Sequence, residues 1–148
     1  MEQTLESRLR QLLAEQNFAV LATSREGCPY TSLVAFAVSE DLRRLLFVTG
    51  RSTRKFANLC HNPQVALLID NRKNLGEDLR EALAVTVIGQ ALEVPSTDFP
   101  QRMALFLGQH PLLEEFATSP NSALLEVTVQ RHILVSRFQN VTELVFDS

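Results

Sequence analysis

Tryptophan is absent from the 148 residues and tyrosine occurs once, at Tyr30. With so few stacking rings and one short basic cluster, the chain offers little to nucleic acid. No global basic field exists either, because 14 Lys and Arg face 17 Asp and Glu for a net charge of −3. Only two cysteines are present, Cys28 and Cys60, too few for a disulfide framework, so they read as free thiols of a reducing compartment. No apolar run approaches the ~18 residues of a membrane span. The amino-terminal MEQTLESRLRQ is polar with no apolar signal core, which leads us to expect a cytoplasmic, soluble protein. No G-x-S-x-G elbow, H-E-x-x-H pair or C-x-x-C pair occurs, and His61, His110 and His132 are far apart. These gaps argue against a serine hydrolase and against a metal site, whose ligands normally come in tight local pairs.

What remains is the composition of an ordinary soluble globular chain, 45% hydrophobic and 21% charged, long enough for one domain spanning 1–148. Residues 5–15 form an amphipathic helix with Leu5, Leu9, Leu12 and Leu13 on one stripe. Segments 18–24, 30–39 and 44–50 read as strands with short turns between them, an antiparallel meander. A helix over 53–61 follows, ended by Pro63, and then a strand over 64–70 that is apolar on both faces. The charged stretch 71–81 reads as an exposed loop or hairpin tip. Residues 82–94 are long and β-branched, with Gly89 as a bulge or bend. After a helix ending at Gly108 and a further turn or two over 112–118, one or two strands over 122–138 and a last one over 142–146 close the chain. The class is mainly β, with six or seven antiparallel strands that hide their edges best as a barrel.

The helix start at 51–56 is locally inconsistent. Ser52 or Thr53 is the natural N-cap, yet Arg51, Arg54 and Lys55 crowd the end where the helix dipole is already positive. Each misplaced cation costs roughly 0.3–1 kcal/mol. One explanation is a solvated cluster whose long side chains reach water. The other is that the missing anion is a ligand phosphate, held by free helix N–H groups, a Ser52 or Thr53 hydroxyl, Arg54 and Lys55. On the same helix, Cys60 falls at the i+4 position from Phe56 and is expected to pack in the core.

These residues resemble the pyridoxamine 5′-phosphate oxidase-like flavoproteins, which have an FMN-binding split β-barrel. The resemblance runs from about residue 5 to 138 and rests on VLATSREGCPYTSLVAF (20–36), LLFVTGRSTRKFANLCHNPQVALLI (45–69), VTVIGQALEV (85–94) and LFLGQHPLLEEF (105–116). Its most specific part is Val48–Thr49, Thr53–Arg54–Lys55 and Asn62–Pro63 in unbroken order. The resemblance implies that Arg54 and Lys55, assisted by Thr53, hold an FMN phosphate. It further implies that Val48 and Thr49 contact the flavin from a strand end, that the backbone of Thr31, Ser32, Leu33 and Val34 runs beside the isoalloxazine, and that FMN lies between the subunits of a homodimer. The chain departs from the true oxidase at Ser32, Ala37 and Ala84, where that enzyme has Arg, Lys and Gln, and only Arg137 offers a match to its carboxy-terminal substrate residues. No catalytic acid or base stands out, although Tyr30 lies near the implied ring. The expectation is an FMN-dependent oxidoreductase acting on an unidentified small molecule other than a B6 phosphate. The alternatives are flavin storage or sensing without turnover, or the same fold holding F420 or haem. LGQHP also resembles haem-degrading relatives, whose glycine-rich, His-bearing tail has no counterpart here.

Overall fold

The computed structural model describes residues 3–137 and 139–147. It contains one seven-stranded antiparallel sheet in the order β3-β2-β1-β4-β5-β6-β7, and an additional β3–β6 pairing curls six of the strands into a closed barrel. The strands are β1 (Phe18–Arg25), β2 (Cys28–Val38), β3 (Arg44–Gly50), β4 (Gln64–Asp70), β5 (Leu83–Glu93), β6 (Ser122–Ser136) and β7 (Asn140–Val145). The expected 122–138 region is therefore one 15-residue strand, and its expected last position, 138, lies outside the described residues. β7 adds to β6 outside the closed ring.

Period-two alternation fills the barrel. Leu21, Val34, Phe36, Leu45, Phe47, Leu67, Val85, Val87 and Leu134 point inward and are buried together. Helix α1 (Leu5–Glu15) starts at Thr4, whose hydroxyl accepts the Ser7 N–H at 3.1 Å, and it adds Leu9, Leu12 and Leu13 to that core. A second cluster lies on the outer side of β2 and β3, where α4 (Phe99–Gln109) lays Met103 and Phe106 over Ala37, Leu46 and Val48. Its end is tied down by LGQHP. His110 donates from Nε2 to the Phe36 carbonyl oxygen at 2.5 Å, and Gln109 donates to Val38 at 3.3 Å. That motif anchors a helix. The helical turns expected over 112–118 are a 3₁₀ turn, Pro111–Leu113, and α5, Glu114–Ala117.

Gly89 marks the expected bulge. The β5–β6 register slips between Ile88 and Gly89, and a Cβ at 89 would meet the Thr128 carbonyl oxygen and come within 2.8 Å of Val127 Cγ1. The 71–81 stretch is more ordered than a bare loop, because it contains α3 (Asp78–Glu81). Asp78 accepts the N–H groups of Lys73 at 2.8 Å and Leu75 at 3.2 Å, folding the tip on itself.

The feature that shapes the site is an interrupted pairing. β3 pairs with β6 along its whole length, Arg44 to Gly50, but with β2 only through Phe36↔Phe47, Ala37↔Leu46 and Val38↔Leu45. Beyond Phe36 the two strands part. Residues 28–35 of β2 are then paired only with β1, and their other edge faces the gap into which β3 delivers Thr49 and Gly50.

Candidate functional site

Helix α2 (Arg54–His61) begins where β3 ends, beside this split. Of the two candidate caps the structure uses Thr53, whose Oγ1 accepts the Phe56 N–H at 3.3 Å while donating to the Gly50 carbonyl at 2.8 Å and sitting 3.0 Å from Thr49 Oγ1. The Thr53 hydroxyl is thus engaged in building the turn. Phe56 N–H is satisfied by the cap and Ala57 N–H by the Thr53 carbonyl. The Arg54 and Lys55 N–H groups are the first two of the helix and have no intrahelical acceptor.

The three crowded cations separate. Arg51 is accounted for internally: its guanidinium forks onto Glu93 with contacts of 2.6 and 3.0 Å. That hydrogen-bonded fork holds the Glu93 carboxyl below its ordinary range and raises Arg51 in turn. For Arg54 and Lys55, no ion pair forms among the described residues. Arg54 is exposed, with its Cζ 5.3 Å from the centre of the Tyr30 ring, and Lys55 is half-buried. Two cationic residues and two backbone donors therefore sit at one helix end with no ion-pair partner among the described residues.

The strand candidates divide by face. Val34 is buried in the barrel core, and Val48 is buried beneath α4. Neither side chain is open to a ligand, so each can present only its backbone. Thr49 is 1% exposed and spends its hydroxyl on the turn. Thr31 and Leu33 point outward and are exposed. Ser32 points inward, opposite Leu21 on β1, and its Oγ is buried with no hydrogen-bond partner. A buried hydroxyl left in that state costs about 1–3 kcal/mol, a demand a bound donor or acceptor would meet. What the four residues share is the strand edge left open by the split, an array of main-chain N–H and C=O groups.

The remaining positions have structural explanations. Ala37, where a Lys was the oxidase pattern, is fully buried under α4. Ala84 lines a cleft of about 390 Å³ with Leu68, Leu75, Leu83 and Val135 beneath the 71–82 segment. Arg137 sits in the β6–β7 turn with φ of +53°, at the far end of β6 from the Ser122↔Gly50 pair. His132 is buried. It donates from Nε2 to the Leu42 carbonyl at 2.8 Å, while burial without a partner for Nδ1 pushes its pKa below the ordinary value.

Cys60 corrects an expectation. It is exposed, and the buried residues of α2 are Asn58 and Leu59. The helix is turned by polar contacts that hydrophobic spacing does not register: Asn58 Nδ2 donates to Thr23 Oγ1 at 3.1 Å and Asn62 Nδ2 to Ser24 Oγ at 3.0 Å. Asn58, Thr23 and Tyr30 were not singled out in the sequence for this role. The signal was the four-residue repeat Arg54, Asn58, Asn62 along one helix face.

The family model described as pyridoxamine 5′-phosphate oxidase matches residues 5–136. No curated protein matches the sequence. Among solved structures, a haem-binding protein from Mycobacterium smegmatis aligns with a TM-score of 0.86 at 18% identity, over 98% of this chain but 59% of that one. The haem storage protein HutZ from Vibrio cholerae aligns with a TM-score of 0.74 at 18% identity, over 97% and 95% of the two chains. An FAD-binding protein from Mesorhizobium loti gives 0.67 at 17%, over 84% and 88%. At such identities the likeness is one of fold.

Proposed function

We propose that this chain, which belongs to the pyridoxamine 5′-phosphate oxidase family by the match over residues 5–136, binds FMN at the split and serves as a flavin-dependent oxidoreductase for a small molecule. The observation that carries the reading is the start of α2. Arg54, Lys55 and their two free N–H groups lie together there without an anion, while Arg51 in the same segment is neutralised by Glu93. The residues fit the group. The helix end offers donors only, as a phosphate requires. The open edge of β2 over Thr31, Ser32, Leu33 and Val34 offers the alternating donors and acceptors that the polar rim of an isoalloxazine takes up. Bound FMN would supply hydride chemistry, and the chain's own residues bind and orient it. Val48 and Thr49 would line the gap through their main chain.

The FMN would lie at the seam of a homodimer. The outer faces of β2, β1 and β4 line up Leu33, Val20 and Leu68 in register, with Leu33 65% and Leu68 37% exposed. An exposed row of this kind on a sheet face, continuous with the β2 edge, supports burial against a second copy.

Titration of FMN into flavin-free protein, followed by flavin fluorescence, tests the cofactor. Light scattering tests the assembly, with twice the 16.6 kDa chain mass expected. An FMN signal that does not change overturns the first, and a monomer at full FMN occupancy overturns the second. Reduction of the bound flavin by NADH or NADPH then separates an enzyme from a store.

Cofactor storage without turnover is the second reading. It is supported by the fold likeness to a haem storage protein. Of the three histidines, His132 is sealed in the core and His110 Nε2 is engaged by Phe36, so exposed His61 at the end of α2 is the candidate for a haem ligand. Absorbance of the purified protein distinguishes FMN, F420 and haem.

A further inference from the structure

Tyr30 joins α2 at two points. Its ring lies under Arg54 at 5.3 Å. Its main-chain carbonyl accepts from Thr23 Oγ1 at 3.5 Å, and Thr23 in turn accepts from Asn58, one helical turn beyond Arg54. Thr23 and Asn58 are both buried, so the hairpin of β1 and β2 and the face of α2 carrying Arg54 and Asn58 are held as one piece. Tyr30 also shares its side of β2 with Ser32, two residues along, whose buried hydroxyl is unpartnered. An aromatic ring beneath a guanidinium attracts it through the ring quadrupole and supplies no anion that would neutralise it. The ring thus restricts Arg54 and leaves its charge for an anion.

We propose that Tyr30 is a positioning residue for Arg54, through which this site selects 5′-phosphorylated flavin over the unphosphorylated form. The proposal rests on the FMN reading above and deepens it. Riboflavin reaches the strand edge but leaves the α2 start empty, so its binding is indifferent to where Arg54 points. FMN binding is not.

The experiment titrates FMN and riboflavin separately into flavin-free protein carrying Tyr30→Phe or Tyr30→Leu, each with Arg54 intact and with Arg54→Ala. Tyr30→Phe keeps the wild-type preference for FMN. Tyr30→Leu lowers FMN affinity about two- to five-fold, the order expected of one exposed cation–π contact, and leaves riboflavin affinity unchanged. In the Arg54→Ala background Tyr30→Leu has no further effect on FMN, an outcome that a general packing role does not produce. Equal losses for both flavins, or a loss that persists without Arg54, overturn the proposal. A wild-type protein that prefers FMN, with a Tyr30→Leu variant that keeps the full preference, overturns the role of Tyr30 alone. A wild-type protein that binds both flavins equally removes the phosphate socket and this proposal with it. Because Tyr30 is the sole tyrosine and tryptophan is absent, its emission reports on the same contact without altering the ring. Arg54→Ala changes that emission in flavin-free protein, and an unchanged spectrum overturns the stacking.

Discussion

The most decisive perturbation is Arg54→Ala combined with Lys55→Ala, because the structure separates these two cations from Arg51 in the same turn. Charge-assisted bonds to a phosphate contribute roughly 1.5–3 kcal/mol each. Arg54 is exposed and Lys55 only half-buried, which places both at the low end, about 3 kcal/mol together and on the order of a 100-fold rise in the FMN Kd. The apo protein responds in the other direction. Removing two cations from the positive end of a helix relieves about 0.3–1 kcal/mol each, against roughly 0.5–1 kcal/mol lost with the Arg54–Tyr30 contact. Its Tm should therefore hold or rise by a few degrees, about 2–4 °C per kcal/mol for a chain of this size. Arg51→Ala is the internal control: it removes the same charge from the same segment, but that guanidinium is already forked onto Glu93, so FMN affinity should stay within about two-fold. Fluorescence titration and thermal melts of the three proteins give the answer. FMN affinity unchanged in the double variant, or lost equally in Arg51→Ala, refutes the reasoning.

Three further outcomes are expected. His132 is held neutral by burial, so its folded pKa lies below the unfolded value near 6.5. Stability is then full above about pH 6.5 and declines as pH falls, since the unfolded chain takes up a proton that the folded one refuses; denaturant melts at pH 7.5 and 5.5 should show this decline in the wild type and a smaller one in His132→Phe. Gly89→Ala should destabilise by about 2–4 kcal/mol, because the new methyl meets the Thr128 main chain rather than a movable side chain, and urea unfolding measures it. Pyridoxine or pyridoxamine 5′-phosphate should turn over far below about 1 per second in FMN-loaded protein, because Ser32 lacks the charge and fork of an Arg and Ala37 is sealed beneath α4. Pyridoxal phosphate absorbance under air is the assay.

Local signals were sufficient for much of the fold. Turn residues and alternating apolar positions placed β1 to β6 within a few residues, and the cap was narrowed to Ser52 or Thr53, of which the structure uses Thr53, because a side chain caps the helix it begins. The bulge at Gly89 was legible for the same reason, since a glycine within a β-branched run has few other uses. The cationic start of α2 was legible as a charge in the wrong place on a dipole, which needs no partner from elsewhere in the chain.

Contacts between distant segments were not legible. Whether Arg51, Arg54 or Lys55 lacks an acid depended on Glu93, 42 residues beyond Arg51, and only the folded β5 brings that carboxylate to it. Cys60 was misplaced, although Phe56 and Leu59 of the same stripe pack on the core, because the helix also docks through Asn58 and Asn62 onto Thr23 and Ser24, and hydrogen bonds between side chains leave no mark in a hydrophobic period. That the Val34 and Val48 side chains belong to the core was not legible either, because side-chain direction follows from pairing register and helix cover rather than from position in a motif. The split was expected from the family resemblance, and no residue pattern by itself places it. The sequence by itself determined the strands, a cap at Ser52 or Thr53, and a crowd of cations around it. Only closure of β3 onto β6, away from β2, decided that an open strand edge and an uncompensated helix end would lie side by side, because strand partners are chosen by the whole sheet and not by the strand.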